Sequence, residues 1–230
     1  MNKNAKNIII ASVAAVVVGI LIGCAIWNTG KENLIPLPKP TLSEGQRGEL
    51  GIDKNVNEAT IDKYLNRSDS VYYDMRMLED PAEYENIGGD KYLSGIIKGF
   101  EVVSFPYITN VTNLPAEVGS TYTGTTLFTQ RDDGNYIANY RESMQIITDL
   151  FPKDKNIFLM CGGGGYAGMM KKMLAKLGWN EEKIYVVGGY WYYEGKNIIE
   201  IKETLKDGTT YYAFWKIPYH EIDFSKLTKI

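Results

Sequence analysis

The sequence predicts an α/β fold in which a mostly parallel sheet carries helices on both faces. Three observations predict it. Short apolar runs of strand length alternate with stretches of helical periodicity between Ser70 and Val187. The composition, 44% hydrophobic and 23% charged over 230 residues, is that of a globular chain long enough to bury one core. The third observation is local. Asn156-Ile157-Phe158-Leu159-Met160 runs into Cys161 and four glycines, Gly162 to Gly165, after which Met169, Met170, Met173, Leu174 and Leu177 recur at helical spacing until Gly178. Strand, glycine loop and helix in that order is the unit from which parallel sheets are assembled.

Residues 1–27 read as a signal or membrane anchor outside the fold. Lys3 and Lys6 form a short basic start, and Ile8 through Gly23 is uncharged and apolar. Leu21-Ile22-Gly23-Cys24 resembles a bacterial lipobox, which implies cleavage before Cys24 and lipid attachment to its sulfur. The competing reading is an uncleaved helix, since Ile8 to Trp27 is long enough to span a bilayer. Both readings tether the body to the outer face of a bacterial cell membrane, and the flanking lysines agree with that orientation. Residues 28–54, with Pro36, Pro38 and Pro40, read as a linker ahead of a domain spanning 55–230.

Within that domain a short helix is expected around Asn57–Leu65, and a strand over Ser70–Arg76, where Val71, Tyr73 and Met75 alternate with Tyr72 and Asp74. Asp80-Pro81 opens a helical turn through Tyr84, with proline at a tolerated early position. A second strand is centred on Glu101–Ser104 within Ile96–Phe105. Residues 107–135, rich in Thr, Gly and Asn, read as an insertion or binding loop. Tyr136–Leu150 is predicted as a helix ending before Pro152, 167–177 as a helix and Lys183–Val187 as a strand. Two C-terminal strands within 197–219 flank Asp207-Gly208, a strong hairpin turn signal, so the sheet gains a β-hairpin extension. No internal repeat or low-complexity tract interrupts this order.

Charge and cysteine usage narrow the chemistry. There are 25 basic and 28 acidic side chains. The two before Cys24 are both lysines, leaving 23 against 28 and a net −5 for the body. That balance, with no basic cluster, argues against nucleic acid as a partner. With Cys24 lipidated or embedded, Cys161 has no partner for a disulfide, and an unpaired thiol in an exported protein is a flag for reactivity. One histidine, His220, and no cysteine near Cys161 give no metal site and no cofactor; His220 reads as a surface residue of a C-terminal strand.

Cys161 is the candidate catalytic residue. At the start of a glycine loop it faces converging backbone N–H groups and a helix N-terminus, and both favour negative charge. The same field is expected to lower the thiol pKa and supply the reactive thiolate. The alternative is a small buried hydrophobe at the end of a core strand. Against it stand Gly162, Gly163, Gly164 and Gly165, which pack nothing and suit either positive φ or close backbone approach.

Four segments in order are similar to a rhodanese-like domain over Ser70–Tyr193. Asp74-Met75-Arg76 resembles the family's Asp-x-Arg at the end of the first strand. Tyr84, Gly95-Ile96-Ile97-Lys98-Gly99-Phe100 and Pro106 resemble its Gly-His-Ile-x-Gly-Ala stretch and nearby proline. Cys161 through Ala167 resembles the active-site loop, and Val187-Gly188-Gly189 with Trp191 resembles the closing Gly-Gly segment. The resemblance implies a three-layer rhodanese-like fold and a sulfurtransferase. Its loop cysteine takes sulfane sulfur from a small donor and passes it to a thiol acceptor. The N–H groups from Gly162, Gly163, Gly164, Gly165, Tyr166 and Ala167 would bind the anion, and Asp74, Arg76 and Trp191 would support the loop. Departures are informative. Ile96 replaces a frequent histidine, and Tyr166 stands where many single-domain members carry arginine. The uncharged Cys-Gly-x-Gly start is nearer to the mercaptopyruvate type than to a thiosulfate-binding loop.

Competing motifs fare worse. Gly163 to Gly168 fits Gly-x-Gly-x-x-Gly, but the next strand ends Val186-Val187-Gly188 without the acid that a dinucleotide ribose needs. No Gly-Lys-Ser/Thr follows for a Walker loop. A cysteine phosphatase needs an arginine at the loop's end, where Tyr166 and Ala167 stand. A Cys–His hydrolase would have only His220. The alternative from another class is a non-catalytic binding module of the cell envelope, using aromatics such as Tyr190–Tyr193, whose ordinary role is core packing. The same cluster is placed to line the mouth above Cys161.

Overall fold

The computed structural model describes residues 34–43, 51–78, 93–111 and 122–230. The anchor with Cys24 and the turn at Asp80–Tyr84 lie outside the described residues, as does part of the 107–135 insertion. The chain divides into two units, Met1–Pro36 and Leu37–Ile230, and every strand and helix among the described residues belongs to the second.

The central sheet has four parallel strands, β1 (Ser70–Asp74), β3 (Glu101–Val102), β6 (Asn156–Cys161) and β7 (Ile184–Gly189), in the order β3-β1-β6-β7. Alternation divides each strand between two cores. Tyr73, Ile157, Leu159, Cys161, Ile184 and Val186 face one cluster, while Tyr72, Phe158, Met160, Tyr185 and Val187 face the other. On the second face Tyr72, Phe158 and Tyr185 are cross-strand neighbours. Their rings stack at 4.8 and 4.9 Å between centroids, tying β1, β6 and β7 together.

Among the described residues three α-helices pack on the first face: α1 (Phe105–Ile108), α2 (Ser143–Leu150) and α3 (Gly165–Lys176). Among the described residues the second face is covered by 3-10 turns and short strands rather than by α-helices. Its cover includes the turns Ile61–Tyr64, Tyr190–Tyr192 and Phe214–Lys216 and the antiparallel pair β2 (Ile96–Ile97) with β8 (Ile198–Ile199). The result is a three-layer α/β arrangement.

Several elements differ from expectation for physical reasons. The Ile96–Phe105 run is two strands, because the chain turns at Lys98-Gly99 with the Phe100 N–H donating to the Ile97 carbonyl. The predicted helix over Tyr136–Leu150 begins only at Ser143. Its first three residues are β5 (Tyr136–Ala138), paired antiparallel with β4 (Phe128–Gln130) inside the supposed insertion. The Ser143 hydroxyl accepts the Tyr140 N–H and donates to the Leu127 carbonyl, joining hairpin to helix. The Asp207-Gly208 turn does close a hairpin, between β9 (Lys202–Thr204) and β10 (Thr210–Tyr212), but Ile198–Ile199 pairs elsewhere and Phe214–Lys216 is a 3-10 turn. His220 lies outside any strand: its N–H donates to the Val102 carbonyl and its ring meets Glu101 at 2.5 Å.

Residues 37–43 and 51–54, read from sequence as linker, are part of the folded unit. Asp53 is buried; its N–H donates to the Val186 carbonyl, and its carboxylate accepts N–H groups of Thr41, Asn55 and Val56. The segment at Asp53 therefore covers the β7 edge of the sheet.

Candidate active site

The strand order places the site. From β1 the chain moves outward to β3, whereas from β6 it moves the other way to β7, so connections diverge between the adjacent strands β1 and β6. The crevice beyond the carboxyl ends of such a strand pair is where open α/β sheets bind ligands. Asp74 ends β1 and Cys161 ends β6.

Cys161 points to the helical face and is 3% exposed. Its Sγ accepts the Gly164 N–H at 3.1 Å. The N–H groups of Ala167 and Tyr166 add to that of Gly164 in favouring the thiolate. The turn that aims them requires glycine at 164, where φ is +112°, a conformation costly for any side chain. Gly164 is thereby the N-cap of α3, whose twelve residues bury Tyr166, Ala167, Met170, Met173 and Leu174 against the sheet.

Electrostatics at the sulfur overturn one expectation. Burial pushes the Cys161 thiol above its ordinary pKa; the N–H groups of Ala167, Gly164 and Tyr166 oppose this without reversing it, and the Asp74 carboxylate raises it further. The sequence located the donors but not the depth of the sulfur, and desolvation outweighs them.

The Tyr190–Tyr192 turn closes the loop from above. The Trp191 N–H donates to the Gly162 carbonyl at 3.2 Å, and a Cβ on Gly162 would overlap its indole. Gly163 also lies within van der Waals reach of that ring. Gly189, at the end of β7, comes so near the Gly162 carbonyl that any side chain there would collide with it. Tyr166 is buried and packs its ring 5.6 Å from that of Phe105.

Asp74 and Arg76 lie on the second face, away from the side on which Cys161 points. They form a buried ion pair at 2.6 Å, with Arg76 also donating to the Gly95 carbonyl. The guanidinium sits 4.6 Å from the Tyr190 ring centroid and 4.4 Å from that of Phe214. Arg76 thereby contacts Tyr190, the residue before Trp191. The structure thus gathers Cys161, Gly162–Ala167 and Trp191 at one point and sets Asp74 and Arg76 behind them.

Sequence reasoning missed Glu58. This buried carboxylate accepts the Gly189 N–H at 2.9 Å and holds the end of β7 under the loop. An isolated acid after a polar stretch carries no periodic signal that could have found it. Among the described residues no group of three or more His, Cys, Asp or Glu side chains could hold a metal, and no helix is long and apolar enough to cross a membrane. The chain matches no protein-family model, and comparison with curated proteins and with solved structures gives no significant match.

Proposed function

We propose that this chain is a membrane-tethered, extracytoplasmic rhodanese-like sulfurtransferase that carries sulfane sulfur as a persulfide on Cys161. One observation carries the reading: a thiol at the strand-order switch point whose Sγ is ringed by loop N–H groups. In the first step the Cys161 thiolate attacks the outer sulfur of a donor R–S–SH. A Cys161 S–S bond forms, the donor S–S bond breaks, and R–S⁻ leaves with the electron pair. In the second step an acceptor thiolate attacks the outer sulfur of the Cys161 persulfide, and Cys161 leaves as the thiolate it was. With mercaptopyruvate the bond broken is carbon–sulfur, and pyruvate leaves as its enolate and takes a proton. The N–H groups of Gly164, Tyr166 and Ala167 stabilise negative charge on the cysteine sulfur at each stage.

Donor choice follows from charge. The loop from Gly162 to Gly168 contains no basic residue, and Arg76 is held by Asp74. Dianionic thiosulfate therefore meets no cation within the loop. Mercaptopyruvate or an organic persulfide should exceed thiosulfate by at least about tenfold in kcat/KM, the value of one missing charge-assisted contact. Incubating the full chain with each donor and measuring intact mass tests the proposal. A gain of one sulfur, lost on reduction and absent in Cys161→Ser, is expected; no gain from any donor overturns it.

The second reading, a non-catalytic binding module of the cell envelope, is favoured by the burial of Cys161 and its upward-shifted thiol. A protein that gains no sulfur while Cys161→Ala keeps its fold but loses stability would have the thiol as packing.

A further inference from the structure

A second cavity, of about 490 Å³, opens between α3, the β4–β5 hairpin and the chain at Leu42. That volume suits a small molecule. No residue of the loop 161–167 lines it, so it is separate from the Cys161 site. Tyr136 and Ala175 contribute apolar surface, while Lys171, Lys172 and Lys176 face a single lining carboxylate, Glu181.

Lys171 is the unusual member. It is 8% exposed, and among the described residues its ammonium has one acceptor, the Ile184 carbonyl at 2.7 Å. An ammonium carries three donors, so two remain without a described acceptor. Nor does Lys171 form an ion pair among the described residues. Asp53 acts on it from a distance, but the Asp53 oxygens already accept the N–H groups of Thr41, Asn55 and Val56. Glu181 is exposed, and Lys176 also acts on Asp133. Burial holds the Lys171 pKa below its ordinary value, against the opposing pull of Asp53 and Glu181. A buried cation without a matched anion is costly, and a ligand that supplied the anion would remove that cost.

We propose that this cavity binds a small organic monocarboxylate with an apolar body, its carboxylate accepting from Lys171 and its body lying against Tyr136 and Ala175. One negative charge matches one buried cation with two free donors. A dianion would leave a charge buried, and a neutral ligand would leave the ammonium as it is. Lys172 and Lys176, both exposed, stand at the rim and attract the anion without being buried by it.

Titration calorimetry on the full chain tests this, with phenylacetate as the probe and phenylacetamide and inorganic phosphate as controls. Saturable phenylacetate binding is expected, with phenylacetamide weaker by about tenfold or more, the loss of one charge-assisted hydrogen bond. Lys171→Met should lose at least as much while the Cys161 alkylation rate stays that of the wild type. Should Lys171→Met fail to fold, Ala175→Phe fills the cavity from a half-buried helix position and should abolish binding. Equal binding of acid and amide overturns the proposal, as do tighter binding of phosphate or no saturation at millimolar phenylacetate. Phenylacetate binding retained by folded Lys171→Met or by Ala175→Phe also overturns it.

Discussion

At Cys161 two fields compete over one atom. The loop N–H groups favour the thiolate, burial disfavours it, and burial wins. The rate of Cys161 alkylation should therefore reach half its maximum above the ordinary cysteine value of about 8.5; a midpoint below it would mean that the N–H groups dominate. The sign for stability follows. A thiol whose folded pKa is raised loses its proton first in the unfolded chain. Its contribution is complete below the unfolded pKa and lost as pH rises toward the folded one. Wild type should lose more stability than Cys161→Ser between pH 7 and pH 10, measured by denaturant midpoints, and equal losses would sink the idea. The Trp191 indole lies against Gly162 and Gly163, the residues that follow the thiol. Trp191→Ala should speed alkylation several-fold, lower sulfur-transfer turnover, and cost about 1–2 kcal/mol for its half-buried ring; unchanged alkylation and turnover would show that the indole is not the cover. Of these residues, Cys161, its glycines and Trp191 were legible because each stands at a break in a periodic pattern. Glu58 was not, because it acts across 131 positions of chain on Gly189.

Elements that carry their own period could be read directly: β1, β6, β7 and α3 lie within two residues of where alternation or helical spacing puts them. Elements made by distant pairing could not. Tyr136-Ile137-Ala138 is a strand only because Phe128–Gln130 lies beside it, and the two-residue strands Ile96–Ile97 and Ile198–Ile199 define each other. The glycine loop belongs to both kinds. Its composition was visible, but the reason for each glycine lies in three dimensions. Gly164→Ala must take φ near +112° and should cost about 1–2 kcal/mol. Gly189→Ala would drive its methyl into the Gly162 carbonyl and should cost more. Denaturant midpoints of the two variants rank them, and the reverse order would mean that the β7 end can draw back from the loop. Phe158, in the middle of the three-ring stack, should cost about 3–5 kcal/mol on truncation to alanine.

For the folded unit as a whole, both edges of the parallel sheet must be covered. The β7 edge is covered by the segment at Asp53. The β3 edge is covered by the C-terminal segment. There Val102 donates its N–H to the Pro218 carbonyl at 2.9 Å and accepts the His220 N–H at 2.8 Å, and the His220 ring meets Glu101. Farther on, Arg141 donates its N–H to the Thr228 carbonyl, and Ile230 donates to that of Asn139. The strap thus joins the sheet edge to the start of α2, with half-buried Ile222, Phe224 and Leu227 packed on the core. Three such side chains contribute about 3 kcal/mol together. A variant ending at Ile217 should then melt about 6–12 °C lower, and its bared β3 edge should make it associate as concentration rises. Calorimetry at two protein concentrations checks both. Because β1 separates β3 from the strand that bears Cys161, alkylation of the thiol at 25 °C should be unaffected. Unchanged melting in a monomeric truncation would show that the strap merely lies on the sheet. Slowed or hastened alkylation would show that the edge and the glycine loop are coupled through β1.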